Sequence, residues 1–160
     1  MPAAGLGVRE LEEYMQAHGI SGEVLQLAVP TPTVEAAAQA VNAEPEQIIK
    51  SILFAVDGQP VLAIACGKSN IGYRALADLY GVGKRRVKLA SSSLVLEISG
   101  YEVGAMPPFG HRRQLTTLID RRVLGLSAAY AGGGAENALL RLDPEEILRA
   151  TGAKVLDLLE

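Results

Sequence analysis

The sequence predicts an α+β fold, and three observations carry that prediction. Short apolar segments of strand length alternate with segments whose apolar residues recur at helical spacing. Two of the strand segments, 51–56 and 61–66, flank Asp57-Gly58-Gln59-Pro60, a short connection with good turn chemistry, so part of the sheet is a hairpin. Hydrophobic residues make up 49% of the 160 residues, enough for a packed interior and too many for a disordered chain. That length suits one domain of ordinary size, spanning 1–160, and no repeat, linker or low-complexity tract divides it. With no tryptophan and few aromatics, the core has to come from Leu, Val, Ile and Ala.

The elements follow in order. Val8, Leu11, Tyr14 and Met15 share one helical face, which predicts an amphipathic helix over about 7–18. Its acids lie toward the start, where the helix dipole favours them, and Gly19 stops it. His18 in the last turn reads as structural. Residues 23–28 read as a strand ended by Pro30 and Pro32. Thr33 is a good N-cap for an alanine-rich helix over 34–41. Pro45 opens a helical turn at the favoured first position. The hairpin comes next, then a loop at 67–72 and a helix at 73–80 stopped by Gly81. Residues 87–89 are extended. The serines 91–93 cap a helix reaching about Ile98, ended by Gly100. Thr116–Ile119 reads as a strand, Asp120 as the start of a short helix, and 128–131 as extended chain entering Gly132-Gly133-Gly134. Residues 138–142 form another strand. Asp143-Pro144-Glu145-Glu146 is a helix start with an N-cap and proline at the first position, and Gly152 ends that helix. Residues 154–159 close the chain as an extended or short helical piece.

Charge is unevenly spread. The net charge is −3, yet the segment from Lys84 to Arg122 holds eight of the fifteen basic residues (Lys84, Arg85, Arg86, Lys88, Arg112, Arg113, Arg121, Arg122) against three acids. It is open to two readings: a solvated basic face, or an anion-binding surface for RNA or nucleotide phosphate. The start of the chain lacks the basic opening of a signal peptide, and no apolar run approaches the roughly 20 residues needed to span a bilayer. The single cysteine, Cys66, excludes an internal disulfide and a multi-cysteine metal site. These features predict a soluble cytoplasmic protein without a membrane partner.

The chemistry-bearing feature is a lysine inside apolar sequence, Ile48-Ile49-Lys50-Ser51-Ile52-Leu53-Phe54. Lysine is rarely buried, because desolvating an ammonium is costly. Strand alternation puts Lys50, Ile52, Phe54 and Val56 on one face and Ser51, Leu53 and Ala55 on the other. Apolar neighbours would lower the pKa of Lys50 and reserve its ammonium for a substrate, although a snorkelling lysine gives the same pattern. The second feature is Gly104-Ala105-Met106-Pro107-Pro108-Phe109-Gly110-His111, a rigid loop with little entropy left to lose on binding. It reads equally as a structural proline turn. Standard sites are absent: no phosphate-binding loop, no dinucleotide fingerprint, no Gly-x-Ser-x-Gly elbow, and two histidines without metal-ligand spacing. The expectation is chemistry without metal or cofactor.

The ordered set Thr33…Glu35-Ala36-Ala37, Pro45-x-x-Ile48-x-Lys50-Ser51, Gly100-Tyr101-x-x-Gly104-x-x-x-Pro108-x-Gly110-His111, Asp120 and Gly134 resembles the YbaK/prolyl-tRNA-synthetase-associated domain family over about 30–157. The resemblance implies a mixed, partly barrel-like sheet flanked by helices. It implies hydrolysis, in trans, of a wrongly attached amino acid such as Cys or Ala from tRNA for proline, with tRNA and a synthetase as partners. It makes Lys50 the catalytic residue, and Ser51, Gly104, Met106, Pro108, Gly110, His111 and Gly134 the substrate-binding set. In this reading backbone amides of 104–110 and of Gly134 orient the ester carbonyl, His111 either braces the loop or acts as a base, and Asp120 anchors a loop. A non-catalytic module that binds aminoacyl-tRNA or a synthetase is the alternative from another class.

Overall fold

The computed structural model describes residues 5–160. Met1-Pro2-Ala3-Ala4, the start that was read as lacking a basic opening, lies outside the described residues. Five helices are seen among them: α1 (Val8–Ala17), α2 (Val34–Val41), α3 (Tyr73–Tyr80), α4 (Ser92–Ser99) and α5 (Pro144–Thr151). Eight strands accompany them: β1 (Glu23–Gln26), β2 (Ile49–Val56), β3 (Gln59–Cys66), β4 (Val87–Leu89), β5 (Thr116–Asp120), β6 (Ala129–Gly132), β7 (Ala138–Leu142) and β8 (Lys154–Leu156).

The strands form two sheets, ordered β4-β2-β3-β5-β8 and β1-β7-β6. The larger is mixed: β4, β2 and β3 are antiparallel, whereas β3, β5 and β8 run parallel. The smaller is antiparallel throughout. A parallel bridge between Ile48 and Tyr130 joins them at the start of β2. The fold class is thus α+β, as the alternation of elements predicts, with two bridged sheets and no closed barrel among the described residues.

Local chemistry explains most boundaries. Thr33 Oγ1 accepts the Ala36 amide at the start of α2, and Ser91 Oγ accepts that of Leu94 at the start of α4. The β2–β3 turn is tighter than expected. Asp57 and Gly58 both take positive φ (50° and 82°), so two residues suffice and Gln59 and Pro60 already belong to β3. Paired positive φ is the mirror-image turn that matches strand twist, and Asp-Gly supplies it. Asp120 starts a short helix as expected: it is the last residue of β5 and N-caps a 3-10 helix, Arg121–Gly125.

The two faces of β2 enter different cores. Ile49 and Leu53 pack in the main cluster with Leu11 of α1, Val95 of α4, Tyr101 and Phe109. Phe54, Val56 and the partly buried Ile52 face Leu76 and Ala77 of α3 and Leu158. Strand alternation alone produces this division.

The basic segment does not form one surface. Because β5 runs parallel to β3, Arg121 and Arg122 lie at the Cys66 end of the sheet. The Lys84–Arg86 turn lies at the opposite end beside the hairpin, where Arg86 pairs with Asp57 at 3.0 Å and its carbonyl accepts the Asp57 amide.

Asp120 ties three pieces together. It is 1% exposed, its Oδ1 accepts the Arg122 amide at 3.0 Å and its Oδ2 accepts the Leu158 amide at 2.8 Å. Asp120→Ala strands both amides, so it is expected to cost ~2–5 kcal/mol in urea unfolding, with Asp120→Asn milder because one acceptor survives.

Candidate active site at the opening between the sheets

The start of β2 is where the sheets part. β4 pairs only with Phe54–Val56, and among the described residues β6 is bridged to this stretch of chain only at Ile48–Tyr130, although the two strands pack close together. The edge of β2 from Lys50 to Ile52 therefore has no paired strand on that side. Two residues beyond the Ile48–Tyr130 bridge, along strands running the same way, stand Lys50 and Gly132. Lys50 on one strand and the glycine run on the other thus follow the bridge at matching positions.

Lys50 is half-buried, and its ammonium donates to the carbonyl of Ser69 in the loop after β3. Burial pushes its pKa below the ordinary lysine value, and the nearby Cys66 acts weakly the other way. The Ser69 loop is held on both sides. Lys68 pairs with Glu35 of α2 at 3.1 Å, Gly67 donates to Ile48 at 2.9 Å, and Asn70 accepts the Glu160 amide at 3.1 Å. Ser51 points to the opposite face of β2, and its hydroxyl is buried with no protein partner.

The loop at 104–111 divides into two halves. The first half meets the glycine run. Gly134 donates its amide to the Ala105 carbonyl at 2.9 Å, and a Cβ on Gly132 would lie 2.3 Å from the Met106 carbonyl oxygen. Gly134 has φ +95°, and a Cβ there would press on the Gly7–Val8 backbone at 2.9 Å. Only glycine permits this three-way backbone approach. The Gly134 amide is consequently already bonded, which overturns the expectation that it orients a substrate carbonyl. The amides of Gly104 and Met106, by contrast, have no acceptor among the described residues. The Met106 side chain lies in the main core.

The second half of the loop faces α1. The ring of Phe109 stacks on Tyr14 with centroids 6.0 Å apart, and a Cβ on Gly110 would touch that tyrosine at 3.2 Å. Pro108 and His111 border a cavity of about 310 Å³ with Tyr14 and His18, and Lys50 is not among its walls. His111 donates Nε2–H to the Pro107 carbonyl at 2.7 Å and meets Tyr101 edge-on. Burial lowers the His111 pKa, opposed by that hydrogen bond. These contacts are those of a brace within the loop. Tyr101 itself is fully buried with an unpaired hydroxyl, and burial with the Glu10 charge pushes its pKa up to about 12.

Lys50, Ala65 and Asp120 fall in one row across β2, β3 and β5, on the face toward Leu158. Cys66 ends β3 beside them, buried. Burial raises its thiol pKa; the charges of Asp120 and Glu46 raise it further, and those of Arg122 and Lys50 lower it. That is the environment of an inert thiol. A hollow of about 800 Å³ between Ser21–Glu23, Arg141 and the start of α5 holds none of the candidate residues. Among the described residues, no three His, Cys, Asp or Glu side chains group as a metal site would need, and no helix is long and apolar enough to cross a membrane.

The family model for the aminoacyl-tRNA editing domain matches residues 28–150, a span that contains Lys50, the 104–111 loop, Asp120 and Gly134. The chain belongs to the aminoacyl-tRNA editing domain family. A solved structure described as a proposed trans-editing enzyme for prolyl tRNA synthetase superimposes with a TM-score of 0.88 and 34% identity, covering 96% of each chain. The uncharacterized protein YwhH of Bacillus subtilis is 26% identical over 94% of both sequences. The proline–tRNA ligase of Streptococcus gordonii is 27% identical over 78% of this chain, which spans 20% of that ligase.

Sequence reading missed Ser69, Lys68 and Gly132. A carbonyl acceptor leaves no side-chain signal, and the Gly132–Gly134 run was noticed but its partner across the fold was not readable.

Two outcomes test this geometry. Gly132→Ala is expected to lose ~1–3 kcal/mol in urea unfolding and to speed exchange of the Gly134 amide, because the methyl has to displace the Met106 carbonyl. His111 has a folded pKa below the ordinary 6.5, so the unfolded chain takes up a proton first as pH falls. Stability should therefore drop with acidification from about 6.5 downward. The drop in urea midpoint between pH 7.5 and 5.5 should shrink in His111→Gln.

Proposed function

We propose that this chain is a trans-editing aminoacyl-tRNA deacylase that hydrolyses the ester of mischarged tRNA, with tRNA for proline bearing a small amino acid such as Ala or Cys as substrate. The observation that carries the reading is the half-buried Lys50 ammonium at the opening between the sheets, inside the span matched by the editing family. Mutual 96% coverage with a proposed trans-editing enzyme supports action in trans, and similarity to proline–tRNA ligases supports the tRNA. A proline enzyme cannot easily exclude smaller amino acids by binding alone, which is the need a second hydrolytic sieve meets.

An aminoacyl ester is already reactive, so positioning and charge stabilisation suffice. One N–H of the Lys50 ammonium is held by the Ser69 carbonyl, and its other two are available to the ester or to the terminal phosphate. Water adds to the ester carbonyl and negative charge develops on its oxygen, which Lys50 and the unpaired Gly104 and Met106 amides stabilise. Collapse breaks the C–O bond to the ribose. The proton lost by water ends on the ribose hydroxyl, and the amino acid leaves. His111 and Asp120 support the loop and the strand end, and Ser51 packs behind β2.

The experiment is deacylation of tRNA for proline charged separately with Ala, Cys and Pro. Release of Ala or Cys with Pro spared is expected, and Lys50→Ala should lower the rate by about 10²–10³. Undiminished hydrolysis by that variant would remove Lys50 from the chemistry, and tight binding without release would leave a binding module.

A further inference from the structure

The strand registers place a second cation at the same end of the sheet as Lys50. Ile64 of β3 pairs with Ile119 of β5, so the next residues, Ala65 and Asp120, are neighbours, and Lys50 pairs with Ala65 from the other side. With strands about 5 Å apart, Lys50 and Asp120 are separated by about 10 Å of sheet. Arg122 follows directly, its amide fixed on Asp120 Oδ1.

The guanidinium of Arg122 is exposed and has no hydrogen bond or ion pair among the described residues. Its neighbours are otherwise engaged. Both oxygens of Asp120 accept backbone amides, Arg121 pairs with Asp157 at 3.4 Å, and Lys68 pairs with Glu35. Glu46 is the remaining acid in this group. The buried Cys66 thiol feels both Arg122 and Lys50, which places the two cations around the same strand end. The other basic group, Lys84, Arg85 and Lys88, lies about 20 Å away at the far end of β2.

We infer that Arg122 holds a backbone phosphate of the single-stranded 3′ end of tRNA, a short stretch of chain before the esterified adenosine at Lys50. The inference rests on the deacylase reading, and it assigns the RNA to the Lys50 end of the sheet rather than to the more basic hairpin end. A phosphate held by arginine positions the strand without reading its sequence. Its neutralisation releases about one counterion.

The test measures binding of uncharged tRNA by fluorescence anisotropy across a salt series, for the wild-type chain, Arg122→Gln, Arg122→Lys and Arg85→Gln. Arg122→Gln should weaken binding several-fold and reduce the slope of log K against log salt by about 1. Arg122→Lys should recover the slope, and Arg85→Gln should leave both unchanged. Cleavage of a small 3′-aminoacyl-adenosine ester, which lacks the phosphate, should be the same in wild type and Arg122→Gln. The inference is overturned if Arg122→Gln leaves affinity and slope unaltered, if Arg85→Gln has the larger effect, if the small ester suffers as much as tRNA, or if the wild-type chain does not bind tRNA. Because the binding arm uses uncharged tRNA, an Arg122-dependent affinity without any hydrolysis would defeat the deacylase reading and leave only the Arg122–phosphate contact standing.

Discussion

A backbone-to-backbone approach holds the smaller sheet, the 104–111 loop and the start of α1 in one arrangement. Gly132 lies against the Met106 carbonyl, Gly134 donates to Ala105, and Gly134 also touches the Gly7–Val8 backbone. Side chains are excluded from this seam, so its geometry is set by peptide units, which are stiffer than any rotamer. The bridge at Ile48–Tyr130 then fixes where β2 leaves the smaller sheet. The Lys50 ammonium in turn takes its direction from the Ser69 carbonyl in the loop after β3.

A site built this way suits a reaction that needs little covalent help. The Lys50 end of β2 offers one ammonium, and the elements around it are anchored from several sides. Glu35–Lys68 anchors the loop beside Lys50, and Asp120 anchors the end of β5. The exposed ion pair contributes little to stability on its own. Its value lies in fixing a carbonyl whose direction sets the direction of the lysine.

Much of this was legible in the sequence. Helix caps at Thr33, Ser91 and Asp143 and the Asp57-Gly58 turn are local rules, and the elements fall where those rules place them. Alternation along β2 correctly separates Lys50 from Ser51, because a strand has one period. What was not legible depends on distant pairings. Eight basic residues close in sequence invite a single patch, but a parallel β3–β5 pairing sends Arg121 and Arg122 to one end and leaves Lys84–Arg86 at the other. The prolines of the loop suggested one rigid unit. In the structure its first half belongs to the glycine run, under 30 positions later, and its second half to Tyr14, about 95 positions earlier. The helix start at Asp120 was legible as a local cap, but its second acceptor bond, to the distant Leu158 amide, was not.

The partner of Lys50 is a carbonyl, not a carboxylate. A carboxylate would turn the pair into a dipole whose field dies away quickly. A carbonyl orients the ammonium yet cancels none of its charge, and the raised thiol pKa of Cys66 keeps that neighbour neutral as well. An ammonium whose own partner is uncharged keeps its field undiminished by that partner, and such a charge reaches farther into water than a paired one. The contact that aims the lysine thus leaves its full charge facing outward.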